Sequence, residues 1–304
     1  MSFDALVQYV AADAKSSIAG FLPELVLCVA IVLLLVVRVA GWRVRGDAYL
    51  ISTIGALAAL LVAVLDAREG SLFLPLVEKS PHSPRVGAEL FTGMIVYDHF
   101  TQFWRILLAG FLVLFLRLTR LTGVPDDEDG PDIYSLVIGS TIGLMSMASA
   151  NHVLMIFLAM ELASVPTYIL AGLNKGRRQA SEAALKYAVY GAAASGVMIY
   201  GMSLLCGVLG SLHLPTMAER LAATLGDPAL ADRQTMLVLG GLFFAVGLAF
   251  KLATFPFHFW APDVFEGATA EMGAFLSVAS KAGALALTMR VALTFAGGPL
   301  VPEP

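Results

Sequence analysis

The sequence predicts an all-α, polytopic membrane protein with about eight transmembrane helices, one of them discontinuous near residues 250–268. Hydrophobic residues make up 58% of the 304-residue chain and charged residues only 14%, against about 25% charged residues in ordinary soluble domains. The apolar residues also come in blocks of about 20, the length that a helix needs to cross about 30 Å of hydrocarbon. A soluble protein this apolar could not cover its core with polar surface, and the mean hydropathy of +0.81 agrees.

Apolar runs and the polar breaks between them mark the spans. The predicted spans are 21–39, 48–65, 100–118, 133–150, 153–173, 183–209, a seventh that begins near residue 236, and 272–295. Residues 66–98 are interpreted as a long aqueous loop, and Asn151 and His152 as a very tight link. A polar connection that carries Pro215 is expected before the seventh span.

Lysine and arginine in the short loops predict the orientation of the spans. If the spans alternate, the following basic residues fall on one side: Arg43, Arg45, Arg117, Arg120, Lys175, Arg177 and Arg178. That side is predicted to be cytoplasmic, which places the N-terminus outside.

Four ionisable residues lie within apolar spans, where a charge costs about 2.5–3.5 kcal/mol on insertion scales and therefore needs a reason. Glu161, Lys251 and Lys281 are deep, and Lys186 lies about one turn into the sixth span. For Lys186 the alternative is snorkelling to the basic interface. For the three deep groups the alternative is a purely structural ion pair. Charges on neighbouring spans favour a proton or ion path, because desolvation lowers the pKa of a lysine and a nearby carboxylate raises it.

The seventh span is interrupted by FPFHFWAPDVFEGA. Pro256 and Pro262 remove backbone donors and Gly267 permits a turn, so a continuous helix is not expected. Irregular backbone at membrane depth lines wet cavities and marks ion sites in transporters. Lys251 and His258 flank this break, and His258 is interpreted either as a satisfied core histidine or as a proton relay.

Other chemistry is not indicated by the sequence. Trp260 and Asp263 are expected to shape and cap the interruption rather than to react. The sequence contains no glycine-rich phosphate loop after a strand, no metal-ligand cluster and no nucleophile motif. The net charge of -4 is spread over loops, so no nucleic-acid surface is expected.

Four segments together carry a resemblance to a known family: FKLATFPFHFWAPDVFEGA, AFLSVASKAG, MELASVPTYIL and SEAALKYAVYGAAASG. They closely resemble the antiporter-like proton-translocating subunits of respiratory complex I, strongly over about residues 133–290 and weakly in the first three spans. The resemblance implies that Glu161 pairs with Lys251 of the broken helix. It also implies that Lys281 passes protons towards the membrane centre and that Lys186 belongs to the same path.

The resemblance has further implications for organisation and partners. Residues 1–131 are expected to form an N-terminal three-helix segment, 132–297 a proton-translocating helix repeat, and 298–304 a tail. No cofactor is expected in this chain, because NADH, flavin, iron–sulfur clusters and quinone belong to partner subunits in the family. The expected partners are the other membrane subunits of complex I and the lipid bilayer, with no nucleic acid. The expected location is the bacterial cell inner membrane.

Two departures from the family pattern stand out. Thr269 and Glu271 follow Glu-Gly-Ala where family members usually carry two prolines. The family also continues with a second, inverted helix repeat, so this chain is expected to be a fragment, a truncated product, or half of a split subunit whose missing helices come from a separate chain. The alternatives are a multisubunit cation/proton antiporter or membrane-hydrogenase subunit, and a truncated membrane scaffold that does not pump.

Overall fold

Helices dominate this computed structural model, which describes residues 3–40, 47–69, 87–125, 129–174, 176–225 and 231–297. The helices are α1 Phe3–Ser17, α2 Leu22–Ala40, α3 Asp47–Glu69, α4 His99–Thr122, α5 Gly130–Ser149, α6 Val153–Ala171, α7 Arg178–Leu209, α8 Leu214–Leu225, α9 Ala231–Leu252, α10 Trp260–Gly267, α11 Ala270–Phe275 and α12 Lys281–Phe295. A 3₁₀ turn, Ile18–Phe21, joins α1 to α2, and a π-helical segment, Leu276–Ser280, joins α11 to α12. Strands β1 Ala88–Leu90 and β2 Ile95–Tyr97 pair antiparallel.

Seven helical stretches of the described residues are long and apolar enough to cross a bilayer. They are Phe3–Ala40, Asp47–Ala67, His99–Thr122, Val153–Ala171, Arg178–Leu209, Arg233–Leu252 and Ala270–Phe295. The remaining predicted span, 133–150, corresponds to α5, a helix of 20 residues that is not among these seven stretches. The all-α, polytopic prediction is confirmed.

Helix α5 runs from one end of the bundle to the other through its centre. Gly130 packs beside Ala48 at the start of α3, whereas Ala150, just after α5, bridges Ile95 of the strand pair. Most of α5 is buried, and Ser140 Oγ donates to the Ala163 carbonyl of α6 at 2.8 Å. Because these two helices approach so closely, Gly143 leaves no room for a Cβ beside the backbone of Ala163.

One end of the bundle, here called the hairpin end, is closed by the β1–β2 hairpin. The backbone N–H of Asn151 donates to the Met94 carbonyl at 3.0 Å. His152 forms an isolated antiparallel β-bridge with His213. The expectation that residues 66–98 form an aqueous loop is therefore wrong for its two ends, because α3 continues to Glu69 and residues 88–97 form the hairpin. Residues 70–86 lie outside the described part of the chain. The tight link at Asn151 and His152 is confirmed.

The polar connection expected around Pro215 is instead helix α8. Pro215 stands in its first turn, where a missing amide hydrogen costs no helical bond, and Arg220 donates to the Leu209 carbonyl at 2.7 Å. Helix α1 was likewise not predicted. Its last turn is tied to the hairpin, since Ser17 accepts from the Phe91 amide at 2.9 Å.

The discontinuity of the seventh span is confirmed, and it is shorter than expected. Helix α9 ends at Leu252, and α10 begins at Trp260 after turns that contain Pro256. Pro262 lies in the first turn of α10 and does not interrupt it, which is the helical position that proline tolerates. Trp260 Nε1 donates to the Phe250 carbonyl at 3.1 Å, so the indole fastens the two half-helices together.

The predicted division into residues 1–131, 132–297 and 298–304 stays a prediction. The first boundary falls in the first turn of α5, and one apolar cluster continues across it, from Leu27 of α2 to Leu287 of α12. Residues 298–304 lie outside the described ranges.

Reporter fusions test the predicted orientation. Arg120 and Arg178 lie at the end of the bundle opposite the hairpin, at the last turn of α4 and the first residue of α7. Fusions after Arg120 and Arg178, and after Arg43 outside the described residues, should report cytoplasmic. A fusion near Pro81, also outside them, should report periplasmic. A periplasmic signal at Arg178 would overturn the orientation.

Candidate functional site

Lys251 is the most deeply buried cation of the candidate site, with 1% of its surface exposed in the last turn of α9. Its Nζ donates to Ser164 Oγ of α6 at 2.8 Å, and Ser164 in turn donates to the Met160 carbonyl at 2.6 Å. A buried ammonium group needs such acceptors, because an unpaired charge in a low-dielectric interior is very costly. The position at a helix C-terminus also favours a positive charge.

Glu161 lies one helical turn before Ser164 on α6 and is only partly buried. Its carboxylate accepts a short hydrogen bond from Ser195 Oγ of α7. The expected direct pair with Lys251 is not found among the described ion pairs, since Lys251 bonds to Ser164 instead. Glu161 is still close enough for its charge to act on Lys251. Lys251 and Glu161 therefore each bond to a serine hydroxyl, Ser164 and Ser195 respectively, instead of to each other.

Lys281 is brought directly to Lys251 by the break. Its Nζ donates to the Lys251 carbonyl at 3.0 Å and lies 4.7 Å from the centre of the Trp260 ring. The carbonyl is free to accept because α9 ends there. The π-helical segment Leu276–Ser280 immediately precedes Lys281, and π-helical turns inside helices are frequent at functional sites.

Lys186 differs from its predicted setting in two ways. Helix α7 begins at Arg178, so Lys186 lies about two turns into it rather than one. Its Nζ donates to Asp263 Oδ2 and lies beside Glu182 Oε1, both at 2.9 Å. In this structure Lys186 is therefore paired with two acids and not with the buried lysines. Its snorkelling to the interface stays a prediction.

The expectation that Asp263 caps the interruption is wrong. The N-cap of α10 is Phe259, whose position receives no side-chain cap bond, and Asp263 instead binds Lys186. The Asp263–Lys186 contact ties the second half-helix, α10, to α7. Trp260 does shape the break as expected, and its ring stacks on Tyr187 with centroids 4.4 Å apart.

His258 lies within the break, between the rings of Phe255 and Phe259 at 5.9 and 4.9 Å. Its Nδ1 is buried without a hydrogen-bond partner among the described residues. The interpretation as a satisfied core histidine is therefore not supported at Nδ1. The relay role stays a prediction.

Thr269 and Glu271, which depart from the family pattern, form the start of helix α11. Thr269 Oγ1 accepts from the Met272 amide at 3.4 Å and caps α11. Glu271 follows in the first turn of that helix and is 6% exposed. A carboxylate there is favoured by the positive end of the helix dipole, so α11 starts with a threonine cap and an acid in place of the usual prolines.

Sequence reasoning missed Ser164, Ser195 and Glu182. Ser164 could have been found, because it lies three residues after Glu161 and so on the same face of a helix. Glu182 stands four residues before Lys186, the spacing of a helical ion pair. Ser195 gave no signal beyond its small size.

Three comparisons connect this geometry to known proteins. Residues 150–300 match the family model described as NADH:quinone oxidoreductase/Mrp antiporter, transmembrane. The chain is 35% identical over 284 residues to NADH-quinone oxidoreductase subunit N 2 of Sorangium cellulosum, covering 91% of this chain and 53% of that protein. It is 36% identical over 286 residues to subunit N of Chlorobium chlorochromatii, covering 93% and 52%. The chain thus spans about half the length of the curated relatives it matches.

Solved structures agree on the fold. Respiratory complex I from Thermus thermophilus contains a chain that superposes with a TM-score of 0.65 at 29% identity, covering 89% of this chain and 53% of that one. A chain of the Mrp complex from Dietzia has a TM-score of 0.69 at 18% identity, covering 92% and 50%, which shows a shared fold. Through its residues 150–300, the chain is therefore similar to the NADH:quinone oxidoreductase/Mrp antiporter membrane family.

Proposed function

We propose that this chain is a membrane subunit of NADH-quinone oxidoreductase that translocates protons coupled to electron transfer from NADH to quinone. The observation that carries the proposal is Lys251, a buried lysine held at a helix break by Ser164 and hydrogen-bonded through its own carbonyl to Lys281. A structural role alone would not require two lysines to converge at one interruption. The similarity to subunit N sequences supports the same function.

The two lysines are coupled by their charges. Like charges repel strongly in a low-dielectric interior, so a proton on Lys281 disfavours a proton on Lys251, whereas the charge of Glu161 favours it. A movement that changes the distance between α6 and the end of α9 would therefore change how tightly Lys251 holds its proton. The proposed acceptor of the released proton is Lys281, whose Nζ donates to the Lys251 carbonyl.

The redox chemistry is proposed to lie in partner subunits. NADH, flavin, iron–sulfur clusters and quinone would be bound there, and this chain would contribute only the proton-carrying side chains. Lys186 and His258 are proposed as further members of the path. The proposed location is the bacterial inner membrane, among the other membrane subunits of the complex. We further propose that a complete route needs helices that match the remaining half of the relatives, whether in the same polypeptide or in a separate chain.

A cation/proton antiporter of several subunits is the second candidate. It is favoured by the family description, which includes the Mrp antiporters, and by the fold shared with the Dietzia Mrp complex.

Co-migration of the intact assembly distinguishes these candidates. Gently solubilised from its native membranes, the chain should migrate on a native gel with NADH dehydrogenase activity, because the main proposal places it among the membrane subunits of that complex. Migration with antiporter subunits and without NADH dehydrogenase would favour the second candidate. Recovery as a monomer free of other respiratory subunits would contradict the main proposal and leave a non-pumping scaffold.

A further inference from the structure

A second group of buried charges lies far from the broken helix, at the hairpin end of the first three spans. Glu24 lies in the first turn of α2, Asp66 in the last turn of α3 and Arg105 in the second turn of α4. Tyr97 of β2 closes the group from the hairpin side. We call these four residues the acid–arginine cluster. Their exposed fractions are 0%, 3%, 2% and 1% respectively.

The hydrogen bonds of the acid–arginine cluster are unevenly shared. Arg105 Nε donates to Glu24 Oε1 at 2.6 Å, and its Nη1 donates to the Gly20 carbonyl at 2.9 Å. Asp66 has no partner for either carboxylate oxygen among the described residues, and Glu24 Oε2 and the Tyr97 hydroxyl also lack one. Asp66 is nevertheless close enough to Glu24 and Arg105 for their charges to act on it. Arg105 thus pairs with Glu24 and forms no hydrogen bond with Asp66.

The charge balance of the cluster is therefore short by one positive charge. With both acids ionised, Glu24 and Asp66 carry two negative charges against the single charge of Arg105. A buried carboxylate without a partner is strongly disfavoured and is normally neutralised. Tyr97 cannot supply the missing charge. Burial raises the pKa of Tyr97, so its hydroxyl stays neutral and can donate.

We propose that the acid–arginine cluster is a proton-binding site, separate from the Glu161–Lys251–Lys281 group, in which Asp66 holds a proton while Glu24 pairs with Arg105. A proton neutralises the excess charge with one bond to one oxygen. It also turns Asp66 into a donor for one of the unpartnered oxygens nearby.

The cluster exchanges this proton at the hairpin end. Glu24, Asp66 and Arg105 lie within the first or last two turns of their helices at that end, beside the hairpin and the 3₁₀ turn. Leu90 of β1 packs directly on Gly20, the residue whose carbonyl holds Arg105. The titratable and charged groups that face Asp66 are Glu24, Arg105 and Tyr97, and Cys28 lies near Glu24 on α2.

Infrared spectroscopy of the purified full-length chain in lipid tests the proposal, because a protonated carboxyl group has its own carbonyl absorption, which shifts in D₂O. At neutral pH the wild-type chain should show this absorption. Asp66→Asn should remove one carboxyl's share of it. The matched control Asp47→Asn, at the other end of the same helix, should leave the absorption unchanged.

A second variant tests the competition between the two acids for one arginine. In Glu24→Gln the cluster has one acid and one arginine, so Asp66 should ionise, pair with Arg105 and lose the same absorption. Retention of the absorption in Glu24→Gln would contradict the proposal, as would identical spectra for the wild-type and Asp66→Asn chains.

Two further outcomes would also overturn the proton assignment. Loss of the wild-type absorption on adding Na⁺, but not K⁺, would show that the site takes a metal ion. Failure of Asp66→Asn to fold would show that Asp66 is needed as a charge, because an amide in place of a neutral carboxyl group changes little. The test does not require NADH or pumping, so its result is independent of the proposed function.

Discussion

Lys251→Ala is expected to reduce NADH-driven proton translocation to the background level while assembly stays largely intact. The substitution removes the only basic group that bonds to Ser164 among the described residues. It also removes a buried charge and its desolvation cost, so the fold should tolerate the change. The measurement is proton uptake by inverted membrane vesicles that carry the variant, with assembly followed on native gels in the same preparations.

Variants of the same group separate a proton role from a structural one. Lys251→Arg keeps the positive charge but should also fail, since an arginine does not release its proton near neutral pH. Glu161→Gln should impair pumping by removing the charge that stabilises the ammonium group. Lys15→Ala, at an exposed lysine of α1, should leave the rate unchanged. If Lys251→Ala vesicles assemble and pump at the normal rate, Lys251 is structural and the proposed path is wrong.

Arg290→Ala is expected to destabilise the chain by roughly 3–5 kcal/mol, the cost of leaving one partner of a buried ion pair alone. Arg290 of α12 is 1% exposed. Its guanidinium donates to both carboxylate oxygens of Asp98 at 3.0 and 2.9 Å and to Thr101 Oγ1 at 2.9 Å. It also forms a short bond to the Ala148 carbonyl. One side chain therefore fastens the last helix to α4 and to the end of α5.

The pH dependence of this stability provides an independent signature. Burial alone would raise the pKa of Asp98, but the hydrogen bonds and charge of Arg290 and the bonds from Thr101 outweigh it and hold the pKa below its usual value. The contribution of a carboxylate with a lowered pKa is present at neutral pH and is lost as the pH falls through the folded-state value. Acid should therefore destabilise the wild type more than Arg290→Ala.

Unfolding of the purified chain by denaturant at neutral and acidic pH measures both effects. Asp132→Ala serves as the control, because the Asp132–Arg38 pair is 3.2 Å long and about half exposed, and such pairs contribute less than about 1 kcal/mol. Equal losses for Arg290→Ala and Asp132→Ala would show that the buried pair does not hold the bundle together.

The sequence predicts the helices well because long apolar runs have few other solutions in a membrane. It does not predict contacts between distant segments. Lys186 meets Asp263 across 77 positions, and nothing local to either residue specifies the other. The hairpin was missed for a related reason, since strands of three residues carry almost no periodic signal and depend on the helix ends beneath them.

Within the candidate site, the sequence predicts which residues are present more reliably than how they are paired. A buried lysine and a glutamate on neighbouring spans suggest a direct ion pair, yet Lys251 meets Ser164 instead. Glu161 and Ser164 are less than one helical turn apart on α6. A small rotation or shift of α6 therefore determines which of the two side chains bonds to Lys251. Hydropathy patterns define a helix face only broadly, and they cannot specify that rotation.

The π-helical segment before Lys281 has a consequence for the direction of that side chain. A π-helical turn contains one more residue than an α-helical turn would, and each residue of an α-helix turns about 100° and rises 1.5 Å. Lys281 points at the Lys251 carbonyl because Leu276–Ser280 hold this additional residue. Were the segment to tighten into regular α-helix, every residue after it would rotate by about a quarter of a revolution. The direction of the Lys281 side chain thus depends on the helical rotation set by five uncharged residues, Leu276–Ser280.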